Sequence, residues 1–140
     1  MRIEQYNIIL KPKPQGFHLV TSEIEDSLSG LRTFDRGFAH IFIQHTSAAL
    51  TINENADPTV RTDFRTFFSR LVPNDISLYE HNSEGADDMT SHIKTSLFGS
   101  SVIVPVTNGK FNMGTWQGIY LCEFRNRGGS RRIVVTITGE

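Results

Sequence analysis

Strand-like segments occupy both ends of this 140-residue chain and two longer helices lie between them. That order predicts an α+β fold, a largely antiparallel sheet or sandwich with two to three helices packed on one side. Two local signals sharpen it. Asn108-Gly109 sits between two extended runs as a tight-hairpin signal. Asp57-Pro58 and Gly99 mark where the central helical region starts and stops. No linker, low-complexity tract or repeat divides the chain, so residues 1–140 read as one domain.

Residues 2–10 and 16–21 read as extended, joined by the turn-forming Lys11-Pro12-Lys13-Pro14-Gln15. Ser22 is an N-cap candidate, with Glu25 completing a capping box for a short helix over 23–32. From Gly37 a strand places Ala39, Ile41, Ile43 and His45 on one face. A second extended run covers Ser47 to Asn53. The helix opened by Asp57-Pro58 has Val60, Phe64, Phe67, Phe68 and Leu71 as its apolar stripe and ends at Pro73. After a polar loop, a helix over 86–98 is expected to bury Met89, Ile93 and Leu97, leaving Asp87 and Lys94 in solvent. Strands follow over 102–106, 115–124 and 132–138, the last two joined through Gly128-Gly129.

Composition narrows the function. Ten phenylalanines supply core volume. A formal net charge of −1 gives no electrostatic footprint for nucleic acid. No apolar run approaches the roughly 20 residues that span a bilayer, and the first ten residues are too polar for a signal peptide. Cys122 stands alone, so no intrachain disulfide can form. A cytoplasmic location is therefore expected.

Three polar groups could carry chemistry. His45, at a strand's end, reads either as a satisfied core histidine or as a ligand, and Thr46, Ser47, Asn53, Glu54, Asn55 and Asp57 follow it. His81, Glu84, Asp87, Asp88 and His92 form the second group. Asp88 and His92 are neighbours on a helix. Two histidines with carboxylates suit a divalent metal, and acidic residues at a helix start also simply favour its dipole. In the third group Gln117 shares an apolar strand face with Ile119 and Leu121, which demands a partner from protein or ligand. Arg125, Arg127, Arg131 and Arg132 bracket the last turn, either as a phosphate clamp or as soluble surface.

Four blocks then stand out: HTSAALTINENADP at 45–58, YEHNSEGADDMTSHIK at 79–94, GTWQGIYLCEFRNR at 114–127, and the closing RRIVVTITGE. In order and spacing they resemble the YjbQ-like family, also described as secondary thiamine-phosphate synthases. The resemblance implies a small trimeric α+β protein with a polar pocket whose histidines hold a cation. It makes His45, His81 and His92 the metal ligands, for zinc or magnesium. Glu84, Asp88 and Gln117 become the catalytic candidates. Thr46, Ser47, Arg125 and Arg127 become contacts for a small phosphorylated substrate. The implied activity joins a pyrimidine diphosphate to a thiazole phosphate. A metal-dependent hydrolase of a phosphate ester or small ring compound, and a non-enzymatic cation- or metabolite-binding module, are the alternatives.

Overall fold

A computed structural model describes residues 1–140. The elements are β1 (Arg2–Leu10), β2 (Gly16–Leu19), α1 (Thr21–Ser27), β3 (Arg36–Ile43), β4 (Ala48–Glu54), α2 (Pro58–Leu71), α3 (Asp88–Phe98), β5 (Ser101–Thr107), β6 (Lys110–Phe111), β7 (Gln117–Glu123) and β8 (Arg131–Gly139). Every strand pairing is antiparallel. Five strands form one sheet in the order β1-β8-β3-β5-β6, and three form a second in the order β2-β7-β4. The expected α+β class is what the chain adopts.

Alternation along the strands explains the layering. The inner face of the five-stranded sheet presents Ile8, Leu10, Ala39, Ile41, Ile43, Val104, Val106, Ile133, Val135 and Ile137 to the main core. Ala48, Leu50, Ile119 and Leu121 meet them from the three-stranded sheet. The alternate residues of that sheet, Ala49, Tyr120, Cys122 and Phe124, point the other way with Phe17 and pack under Phe64, Phe68 and Phe98 of α2 and α3. The small sheet is thus buried on both faces, which is why β7 is apolar almost throughout. Burial pushes the Cys122 thiol well above its ordinary range. On the outer face of the large sheet Ile3, Ile9, Phe38, Phe42 and Ile103 remain exposed.

Local signals met different fates. Asn108 and Gly109 both take positive φ (50° and 74°), as a two-residue hairpin turn between β5 and β6 requires. The Asp57 side chain accepts the Thr59 amide at 2.9 Å and caps α2. The capping box at Ser22 does not form: α1 begins two residues earlier, behind Val20, without a side-chain cap, and ends at Ser27. In α2 only part of the apolar stripe is covered. Phe64 and Phe68 pack against the small sheet, while Phe67 and Leu71 are exposed.

The largest departure is in α3. Its buried residues are Asp88, Thr90, Ser91 and Lys94, whereas Leu97 is exposed and Met89 and Ile93 are half-buried. Lys94, expected in solvent, is 2% exposed. Its ammonium group lies 5.5 Å from the centre of the Phe124 ring and makes no hydrogen bond or ion pair. Burial lowers its pKa, only partly offset by the charge of Asp87. Below its depressed folded pKa, Lys94 therefore holds its charge in a largely desolvated position. Lys94→Met is expected to raise stability at neutral pH by about 1–3 kcal/mol. Between the folded and unfolded pKa values the unfolded chain binds more protons, so wild-type stability should rise with pH through that alkaline window. Urea titrations of both proteins across alkaline pH would check this; an equal pH slope in Lys94→Met removes Lys94 as the cause.

Candidate functional site

Three segments far apart in sequence converge beside α3: the β3–β4 connection, the loop before α3, and the β7–β8 connection. Asp88 is the hub. Its side chain is 4% exposed. His81 Nε2 donates to its Oδ2 at 2.7 Å, and Arg125 Nη1 donates to its Oδ1. His92 Nε2, one helical turn on, stands 3.3 Å from the same Oδ2. Burial alone would raise the Asp88 pKa. The hydrogen bond from His81, the interaction with Glu84 and then the charges of His92 and Arg125 outweigh it, so the carboxyl lies below its ordinary value.

The orientation of His92 is informative. Its Nδ1 lies 2.8 Å from the Thr46 carbonyl oxygen, which can only accept, so Nδ1 carries a proton. In neutral His92 the Nε2 lone pair then faces the Asp88 carboxylate. Two acceptors at that distance need a positive charge between them, a proton on the ring or a cation. A backbone carbonyl fixing the far side of a ligating imidazole is also how metal sites orient their histidines. One ligand atom from each of His81, Asp88 and His92 lies within 4.8 Å of the others. Two imidazole nitrogens and a carboxylate oxygen fit a divalent metal such as zinc. A cation there would displace the proton that His81 donates.

The other predicted residues divide. Glu84 reaches the cluster, with Oε2 3.2 Å from His81 Nε2, and its exposed carboxylate faces solvent. His45 is outside that group of three ligand atoms. The Arg132 amide donates to its Nε2 at 2.8 Å, which occupies that lone pair and leaves the proton on Nδ1. Burial, then the charge of Arg131, lowers its pKa, so it remains neutral. It does share an open cavity of about 390 Å³ with Thr46, His92, Thr95 and Ser96. Ser47 contributes its carbonyl oxygen, which accepts from Arg131 Nη2 at 3.3 Å.

Arg125 is committed to protein partners: Asp88, the Glu84 carbonyl oxygen at 3.2 Å, and Asp87 at 3.3 Å. Asp87 was expected in solvent. Its carboxylate instead accepts the Asn126 amide at 2.8 Å and ties the β7–β8 connection to α3. Arg127 is exposed and makes no hydrogen bond or ion pair. Gln117 lies at the far end of β7, paired with Glu54, and its Oε1 accepts the Gly114 amide at 2.8 Å. The polar run after β4 is structural as well. Glu54 accepts the Ala56 and Asp57 amides at 3.1 Å, and Asn55 Nδ2 donates to the carbonyls of Thr115 and Gln117.

Two residues that hold the site together were not singled out as such by their spacing. Glu123 is completely buried and Arg131 nearly so, joined by two parallel hydrogen bonds of 2.7 and 2.5 Å. The pair also accepts the Arg125 amide, at 3.2 Å. A Cβ on Gly128 would collide with Glu123 Oε1 and come within 2.6 Å of Arg131 Nη2, so any other residue there would displace the pair. The eight-residue separation of Glu123 and Arg131 across a glycine turn was the available signal.

Known proteins are similar to this chain in sequence and in fold. The protein YjbQ of Salmonella typhimurium is 54% identical over 136 residues, covering 97% of this chain and 98% of its own. A UPF0047 protein of Synechocystis is 40% identical, covering 99% and 94%. Among solved structures, a YbjQ-like protein of unknown function from Sulfolobus solfataricus superposes with a TM-score of 0.86 at 25% identity, covering 99% of both chains. An uncharacterised conserved protein of the same family from Clostridium acetobutylicum gives 0.75 at 36% identity, covering 96% and 99%. The family model described as UPF0047 protein YjbQ-like matches residues 6–140, and this chain belongs to that family.

Proposed function

We propose that the protein is a metal-dependent enzyme acting on a small phosphorylated molecule, with the cation held by His81, Asp88 and His92. The observation that carries this reading is His92 Nε2 facing the buried Asp88 carboxylate at 3.3 Å while Nδ1 is tied to the Thr46 carbonyl, with His81 on the same oxygen. The cation would supply neutralisation of negative charge developing on a departing phosphate or diphosphate. Thr46 holds His92 in orientation through its carbonyl. Arg125 keeps Asp88 ionised and fixed, acting on the cluster through that carboxylate. His45 contributes a neutral N–H, and with Thr46, Thr95 and Ser96 it surrounds a cavity next to His92 that can take a polar substrate.

Following the family resemblance, the reaction we propose joins a pyrimidine diphosphate to a thiazole phosphate with release of pyrophosphate. Glu84 favours a second reading, hydrolysis of a phosphate ester, because an exposed carboxylate beside the cluster can take the proton of an attacking water. Homotrimer formation belongs to the same proposal. The exposed Ile3, Ile9, Phe38, Phe42 and Ile103 provide an apolar surface for it.

One set of measurements tests these readings: metal content by mass spectrometry, sedimentation, and turnover of both substrate classes with and without chelator. We expect chelation and His92→Ala each to abolish turnover. Unchanged turnover and metal content in His92→Ala would sink the metal reading. Phosphate release from simple esters without thiazole coupling would replace the transferase by the hydrolase. A monomer in sedimentation would remove the trimer.

A further inference from the structure

Arg125 and Arg131 are both consumed by buried or half-buried carboxylates, so a phosphate clamp near the β7–β8 connection must draw on other cations. A different part of the surface supplies them. Between β2 and α2 lies an open cavity of about 390 Å³, with His18, Arg61, Arg65, Gln15, Thr62 and Asn126 among its lining residues. Arg61 and Arg65 are one turn apart on α2. Neither forms an ion pair, and no carboxylate lines the cavity. This is notable in a chain whose 15 acids outnumber its 14 lysines and arginines.

Both guanidinium groups are positioned without a carboxylate in hydrogen-bond contact, although the charge of Arg61 also acts on Asp57, one turn earlier on the chain. Arg65 Nε donates to Gln15 Oε1 at 2.8 Å, and Arg61 Nη1 donates to the Tyr120 hydroxyl at 3.4 Å. Each anchor is neutral and uses one donor, which leaves most of each planar fork free. His18 Nε2 lies 2.6 Å from the Pro14 carbonyl oxygen, which holds the ring against the same wall. Like charges one helical turn apart repel, and an anion bridging them converts that repulsion into attraction. Paired guanidinium forks match phosphate oxygens in geometry as well as charge.

We propose that the β2–α2 cavity is a binding site for a phosphoryl group, with Arg61 and Arg65 as its clamp and His18 and Thr62 as polar neighbours in its wall. It is separate from the His81–Asp88–His92 cluster and does not depend on a cation there. The two are linked through one residue. Asn126 lines the cavity, and its amide donates to Asp87, the partner of Arg125.

The test is calorimetric titration of the full-length, chelator-treated chain with inorganic phosphate and with pyrophosphate. The proteins are wild type, Arg61→Gln/Arg65→Gln and His92→Ala, each first shown to melt cooperatively. Saturable binding is expected in wild type and in His92→Ala, weakened by at least about tenfold in the double variant. Tighter binding of pyrophosphate than of phosphate would identify a diphosphate site, and the reverse order a monophosphate site. No saturable binding below about 10 mM in wild type, a range in which two guanidinium clamps should register, would overturn the proposal. So would equal affinity in the double variant, or loss in His92→Ala, which would put the anion at the histidine cluster. Should the double variant fail to melt cooperatively, Arg65→Lys serves in its place, with weakened binding the expected result and unchanged binding the contrary one.

Discussion

Glu123→Ala is expected to destabilise the protein by about 3–5 kcal/mol, and Arg131→Ala by a similar amount. Both charges are out of water, with side chains 0% and 5% exposed. Removing either leaves the other desolvated and unpaired. Truncation has a second cost here, because the pair connects three segments. Arg131 reaches the Ser47 carbonyl in the β3–β4 connection, and Glu123 accepts the Arg125 amide in the β7–β8 connection. Replacing both residues with apolar side chains of similar volume should recover much of the loss, since the penalty comes from the orphaned charge. Urea midpoints at constant m-value would measure all three variants. Single variants within about 1 kcal/mol of wild type would mean that water reaches the pair in solution.

Asp88→Ala is the second large effect. It removes the one carboxylate shared by both histidines and Arg125. Under the proposed function it should weaken divalent-metal binding by more than about 100-fold, beyond the range typical of losing an outer partner of a metal ligand. Asp88→Asn should be intermediate: the amide oxygen can still ligate, but the charge that offsets Arg125 is gone. Arg125→Ala provides the contrast, because Arg125 touches the cluster only through Asp88. Its effect on affinity should be smaller than that of Asp88→Ala, and Arg125→Lys should restore part of it. Cobalt titration, read in the visible bands of the bound ion, separates the ligand from its support. Equal spectra and affinities in wild type and Asp88→Ala would remove Asp88 from the coordination set.

The strands were readable because alternation and turn chemistry are local properties. Asn108-Gly109 specifies its own turn, and Asp57-Pro58 caps its own helix. The third helix departs from its sequence pattern for a physical reason. Its Met89–Ile93–Leu97 stripe has helical spacing, yet the face turned inward carries Asp88, Ser91 and Lys94. Hydrophobic periodicity assumes that the buried face is apolar, and a helix that builds a polar centre violates that assumption. The same helix shows how much of the site was legible. Asp88 beside His92 follows from a four-residue spacing, and His81 from its place just upstream. The separation of His45 from this cluster depends on the Arg132 amide across the sheet, a contact 87 residues away in sequence. Arg125 looked like a free cation because nothing near it in sequence revealed Asp87 and Asp88 as partners. Gln117 looked unpartnered on its strand face, and the Gly114 amide three residues earlier satisfies it.

The order of strands in the larger sheet bears on how the protein is made. β8 is central there, hydrogen-bonded to β1 on one side and to β3 on the other. It is also the last of these eight strands in chain order. Until Arg131–Gly139 has emerged, β1 and β3 both carry unpaired edges, and Arg131 is not yet available to Glu123. A nascent chain halted before that point lacks the middle of its sheet and displays adhesive edges, which makes it a natural client for chaperones or proteases. Emergence of β8 is therefore the step at which the sheet closes and the histidine cluster acquires its supports.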